Sequence, residues 1–319
     1  MSKSLRLVVL TLLALSSASV STLAQVTNST KNPLQIAILH WYKANLTTTF
    51  GVGSAPVFLA FDGANIWVAN FNSNNVTKLQ PSDGAVLGTF GVGTNPFGVA
   101  FDGANIWVAN VNSNNVTKLR ASDGAVLGTF GVGTNPFGVA FDGANIWVAN
   151  NGSNNVTKLR ASDGAVLGSF GVGTLPRFLA FDGANIWVAN AGSDNVTKLR
   201  ASDGAALGTF GVGTNPQGVA FDGANIWVAN HSSNSVTKLR ASDGAVLGTF
   251  GVGTNPFGVT FDGANIWVAN FNGGNVTKLR ASNGAVLGTF PVGTNPVGVA
   301  FDGAGIWVAN NVSNSVSKL

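Results

Sequence analysis

The chain has 319 residues, 45% of them hydrophobic and only 9% charged, with a formal net charge of +4. That profile excludes a disordered polypeptide, which needs low hydrophobicity and high charge. A chain of this length buries about 75% of its unfolded surface, so it needs no disulfides, and it has no Cys.

The first 24 residues read as a secretory signal peptide. Lys3 and Arg6 precede the apolar run Leu7 to Leu15, and Thr22-Leu23-Ala24 fits a cleavage site before Gln25. The run is too short to span a bilayer. The expected location is therefore secreted or periplasmic, with a retained anchor as the alternative and no membrane span elsewhere. Removing Lys3 and Arg6 lowers the net charge by two, and the acidic residues, all Asp, offset Lys and Arg within each repeat. No basic footprint for nucleic acid results. Residues 25–39 read as a linker and the start of a short helix. Asn32 would cap it, Pro33 would open it, and Leu34, Ile38 and Trp41 would form its apolar stripe over about residues 33–43.

Residues 40–319 are repeat. Phe61-Asp62-Gly63-Ala64-Asn65-Ile66-Trp67-Val68-Ala69-Asn70 returns every 40 residues, with Trp at 107, 147, 187, 227, 267 and 307. The second copy gives the internal plan. Short strands are expected at Gly98–Phe101, Ile106–Asn110, Asn115–Arg120 and Ala125–Phe130, separated by Asp-Gly turns at Asp102 and Asp123 and a polar loop at Asn112–Asn114. Four short strands per 40 residues is the plan of a propeller blade, and the apolar inner strands fit sheets stacked between two neighbours. The tryptophans are expected to pack between blades. The phase of the repeat adds a closure. The chain ends in the third strand of the last copy, while Asn45 to Phe50 aligns with a fourth strand. An all-β, seven-bladed propeller with four-stranded blades follows, its C-terminal blade completed by the N-terminal strand.

The segments Asn115-Val116-Thr117, Asp123-Gly124-Ala125-Val126, Val132-Gly133, Pro136, Gly138-Val139-Ala140 and Ile146-Trp147-Val148-Ala149-Asn150 resemble the YVTN-type and NHL-like propeller repeats of bacteria. The resemblance covers residues 40–319 and implies the propeller fold. It also implies a superfamily in which binding scaffolds stand beside enzymes, among them streptogramin B lyases and gluconolactonase-like proteins. The lyases use a histidine base with metal-binding acidic and polar residues, and the lactonases hold a metal with carboxylates that include a Glu. This chain has no Glu, and His231 is its one histidine within the blades apart from His40 at the repeat boundary. No catalytic residue, metal site or cofactor is therefore expected.

Other motifs have local explanations. The Asp-Gly turns could form a carboxylate ring for cations, but Asp favours such turns by bonding its own backbone. The Lys78 and Arg120 families, one per blade, are expected on a solvated face. Asn75-Val76-Thr77 and its copies match a glycosylation acceptor, though the repeat accounts for them.

Differences between copies concentrate in two places. One follows the Pro before the first strand: Val57, Phe97, Phe137, Arg177, Gln217, Phe257 and Val297, with Phe58 and Phe178 replacing Gly in the next column. The other is the loop between strands two and three: Phe71, Val111, Asn151, Ala191, His231, Phe271 and Asn311, with Asp194 and Gly274 nearby. Strand alternation puts both on one face and the Asp-Gly turns on the other. The mouth of the central channel is thus the candidate site. Asn151, Arg177, Asp194, Gln217 and His231 would form a polar sector, and Val57, Phe58, Phe71, Phe97, Phe257 and Phe271 the apolar remainder. Arg177 would anchor an anion and His231 would titrate near neutral pH. The expected function is non-enzymatic binding or scaffolding of a small molecule or protein by a monomer. A lyase- or lactonase-like enzyme, and a recently amplified repeat with little selected function, are the alternatives.

Overall fold

The computed structural model describes residues 48–319, and the expected signal peptide, linker and helix lie outside the described residues. Among the described residues there are 28 strands, β1 to β28 in chain order, in seven antiparallel four-stranded sheets. Blade two shows the pattern. It contains β6 (Pro96–Phe101), β7 (Asn105–Asn110), β8 (Asn115–Arg120) and β9 (Val126–Gly131), within two residues of the sequence expectation. No helix among the described residues is long and apolar enough to cross a membrane.

Closure is as the phase of the repeat requires. The last sheet runs β1 (Thr49–Gly51), β28 (Ser315–Lys318), β27 (Ile306–Asn310), β26 (Pro296–Phe301). Thr49, Phe50 and Gly51 pair with Ser317, Val316 and Ser315. Within the expected span of 45–50, residues 45–47 lie outside the described chain.

The blades are held by a repeated seam. Trp107, Ala109 and Val116 of blade two pack against Ile146, Val148 and Leu159 of blade three, and the same set recurs around the disc. The turn before the tryptophan strand is built for this. Asp102 Oδ1 accepts the amide N–H groups of Ala104 and Asn105, at 2.9 and 2.7 Å, and Gly103 supplies the positive φ of 98°. Asp102 Oδ2 accepts the Trp107 indole N–H at 2.8 Å. Burial pushes the Asp102 carboxyl up. The indole and the other donors outweigh that and hold it below the usual carboxylate value. The Asp-Gly turn is therefore a structural device that also orients the indole, and among the described residues no three His, Cys, Asp or Glu come together as a metal set.

The lysine column departs from expectation. Lys118 is only 6% exposed. Its ammonium lies 5.1 Å from the Trp107 ring centroid and donates to the carbonyls of Ala161 and Ser162 in the next blade, at 2.7 and 3.1 Å. Lys78, Lys158, Lys198 and Lys238 repeat this arrangement. The physical reason is strand alternation: Lys118 shares a face with Val116, and that face is the seam. Its four methylenes cross the apolar layer and its charge reaches carbonyls beyond. The Arg120 family does lie on a solvated face. Arg120 pairs with Asp123 at 2.9 Å while both side chains stay about half exposed, so solvent screens the pair and it adds little to stability. The glycosylation pattern is used internally. Thr117 is buried, and Asn110 Nδ2 donates to both Asn115 Oδ1 and Thr117 Oγ1.

Candidate functional site

The innermost strands β2 (Pro56–Phe61), β6, β10 (Pro136–Phe141), β14 (Pro176–Phe181), β18 (Pro216–Phe221), β22 (Pro256–Phe261) and β26 surround the channel. Each departs from regular pairing at one place. Pro96 pairs with Asn110 and Val99 with Val108, with an irregularity between them at residues 97 and 98. All seven inner strands share it. Such a bulge re-aims side chains locally, and here it gathers the variable columns at the channel.

The first layer below the mouth is a cup of about 440 Å³. Val57, Phe97, Phe137, Arg177, Phe257 and Val297, all from the column after the Pro, make most of its wall, and Ala55, Phe71, Asn72, Phe271 and Asn311 reach it from the neighbouring loops. Arg177 is the one ionisable residue among them. Its guanidinium carbon lies 4.4 Å from the Phe137 ring centroid, a cation–π arrangement. Its Nε is buried with no hydrogen-bond partner among the described residues, and burial lowers its pKa.

The aromatic rings are continuous. Phe97 meets Phe71 edge-on at 5.9 Å and Phe137 at 4.7 Å, and Phe257 meets Phe271 at 6.3 Å. His231 lies edge-on to Phe257 at 6.1 Å and 6.5 Å from Phe271. Burial first, and the Arg177 charge second, lower its pKa below the usual histidine value.

Not all of the expected polar sector is assembled. Arg177, Phe97, Phe257 and Phe271 line the cup, and His231 stands behind two of its walls. Gln217 does not line it. The side chain is 3% exposed, and its Nε2 donates to Asn215 Oδ1 at 2.5 Å. Asp194 does structural work at the rim. It has a φ of 52°, and its Oδ1 accepts the Asn215 amide at 2.8 Å, as Asn74 does for Asn95. Asn151 donates to the Pro176 carbonyl at 3.3 Å and so braces the strand that carries Arg177. Phe137, Asn311, Asn72, Ala55 and Val297 belong to the cup but were not among the expected ligand residues. The first, second and last of these sit in the two variable columns, which was the signal available for them.

A second space of about 150 Å³ lies one layer deeper. Phe58, Gly98, Phe178 and Gly218 line it together with Val99, Val139, Leu179, Val219, Val259 and Val299. Phe58 and Phe178 stack on each other with centroids 4.0 Å apart. Both rings also approach Phe97 and Phe257 of the cup above, at 5.7 to 6.2 Å.

No family model matches the chain, and no curated protein matches it. Solved structures do. A hydrazine synthase chain from Kuenenia stuttgartiensis superposes with a TM-score of 0.75 at 20% identity, over 83% of this chain and 95% of the other. A streptogramin B lyase gives 0.73 at 18% identity, over 85% and 95% of the two chains. Virginiamycin B lyase from Staphylococcus aureus gives 0.73 at 17%, over 85% and 97%. Likeness at this identity establishes the seven-bladed propeller, the fold that the repeat resemblance implies, and proteins of that fold include enzymes.

Proposed function

We propose that this chain is an exported, monomeric, non-enzymatic binding propeller whose variable face takes a small acidic, partly apolar ligand in the cup. One observation carries the reading: Arg177 is half-buried beside phenylalanine rings, and its buried Nε–H has no acceptor among the described residues. A buried unpaired donor on a charged group costs about 1–3 kcal/mol or more, and a ligand carboxylate or sulfonate supplies the missing acceptor. An apolar concavity with few polar groups is also the usual form of a small-molecule site.

A lyase- or lactonase-like reaction has less support, because among the described residues the cup offers Arg177 as its only ionisable lining residue and His231 behind it. The test uses 8-anilinonaphthalene-1-sulfonate, an aromatic monoanion, followed by calorimetry and fluorescence. Binding at one site per chain, weakened at least tenfold in Arg177→Ala, is expected. Equal affinity in that variant would remove Arg177 as the anchor, and with it this function.

A further inference from the structure

Blades one and four depart from the other five in the same way. The residue before the Pro is Asn in five blades, but Ala55 and Leu175 in these two, at φ of 53° and 52°. Five blades have Gly-Val two residues after the Pro, and these two have Phe58-Leu59 and Phe178-Leu179. The preceding loop supplies Asn311 and Asn151, which donate to the carbonyls of Pro56 and Pro176. In three of the other blades the contact runs the other way: Asn95, Asn135 and Asn255 donate Nδ2–H to the carbonyls of Phe71, Val111 and His231. Four positions thus change together, twice, in blades that are not neighbours. Independent drift in seven repeats does not produce matched sets. The two sets have one product in common, the Phe58–Phe178 stack across the channel.

Gly explains why only these blades can carry it. A Cβ on Gly98 would fall inside contact distance of the Phe137 carbonyl oxygen in the next inner strand, and Gly218 and Gly258 meet the same obstacle. The remaining five inner strands sit too close for a side chain in this column.

We infer that Phe58 and Phe178 form a floor that closes the central channel, and that this floor sets how long an apolar arm the cup accepts. The ligand class is an arylalkanoate-like monoanion, with its acidic group at Arg177 and its apolar end bounded by the stacked rings. This rests on the binding reading given above for Arg177. Each methylene moved from water into the cup strengthens binding about fourfold, until the arm meets the floor. Beyond that length further methylenes remain in water and add nothing.

The experiment is calorimetry with ω-phenylalkanoates from 3-phenylpropionate to 8-phenyloctanoate, and with the matching primary alcohols. The proteins are the full chain, Phe58→Gly/Phe178→Gly and Arg177→Ala. The glycines are the residues of the other five blades, so folding is expected, and circular dichroism checks it. Phe58→Leu and Phe178→Leu stand in should the double variant not fold. The native affinity is expected to rise with chain length and then level off. In the double variant the levelling length moves outward by at least two methylenes as the arm enters the lower space, and in the leucine variants it moves by at least one. An unchanged levelling length in folded variants overturns the floor, even with acids still bound through Arg177. Acids bound no tighter than alcohols, with a levelling length that still moves, overturn the anion reading and leave the floor standing. A native protein that takes neither series overturns both.

Discussion

Two kinds of cation lie inside the blades of this molecule, one buried and one half-buried, and their surroundings are opposite. Lys118 at the blade seam has two carbonyl acceptors and an indole face, and the same arrangement occurs in four further blades. Arg177 in the cup occurs once, has a ring beneath it, and keeps a buried N–H without an acceptor. The seam lysine is therefore satisfied within the protein, although buried asparagines such as Asn110 keep an Oδ1 without a partner among the described residues. The cup arginine leaves a cationic N–H open. The contrast is thus between two cations, one completed by its own chain and one that an outside acceptor could complete.

The strongest way to break this contrast is to remove the seam cation. Lys118→Met keeps the apolar stem but deprives the Ala161 and Ser162 carbonyls of their charged donor, and is expected to lose about 2–4 kcal/mol in urea unfolding. Lys278 is the internal control. It lies over Trp267 at 4.6 Å, but among the described residues no carbonyl accepts from it. Lys278→Met should lose less than half as much. Equal losses would show that the indole contact matters and the carbonyls do not.

The cup cation should respond with the opposite sign. Arg177→Phe installs the residue found at Phe97, Phe137 and Phe257 and removes a half-buried charge with an unpartnered N–H. A gain of about 1 kcal/mol is expected, together with loss of aryl-anion binding. A destabilised Arg177→Phe would mean that the arginine serves the fold.

Acid separates the regions further. Asp102, Asp142, Asp182 and Asp222 have folded pKa values below the ordinary carboxylate value, because the indole and other donors outweigh the burial that opposes them. Their stabilisation is complete above that ordinary value and is lost as the pH falls through the lowered folded values. Thermal melts should be flat from pH 7 to about pH 5 on the seam's account and fall below about pH 4. Replacing Asp102 by Asn should shrink that fall.

The smallest effect concerns His231. Burial, then Arg177, disfavours its charged form, and an anion bound at Arg177 would favour it. Binding should thus take up a fraction of a proton. Affinity for the aryl sulfonate should rise about two- to threefold as the pH falls from 8 through the histidine range, and His231→Asn should abolish the rise. A pH-independent affinity in the native protein would detach His231 from the site.

Much of this was legible in the sequence because the repeat is nearly invariant. A fixed 40-residue step, two Asp-Gly turns and an offset phase were enough for blade number, strand order and closure. Lys118 was misread because charge was weighed before alternation; its two-residue offset from Val116 already placed it on the seam. The cup was legible as two variable columns, but not which side chains turn inward. Gln217 shares its column with Arg177 and yet folds back on Asn215, a choice made by local packing. The Phe58–Phe178 stack was visible only as two departures from Gly. That they meet depends on a distance across the channel that no spacing within one chain reports.

The strand β1 has a consequence for the order of events during synthesis. Thr49 pairs with Ser317, so it must wait for almost the whole chain. At about 5–20 residues per second, that interval is roughly 15–50 s. Throughout it, Thr49-Phe50-Gly51 coexists with an identical Thr89-Phe90-Gly91, and Thr129-Phe130-Gly131 follows. Each is a rival for the same kind of partner strand. Among the described strands only β28 lacks a following fourth strand of its own repeat, and so offers the matching edge. A late, unclaimed edge is what makes the correct junction the last to form, with the identical earlier strands as its competitors until then.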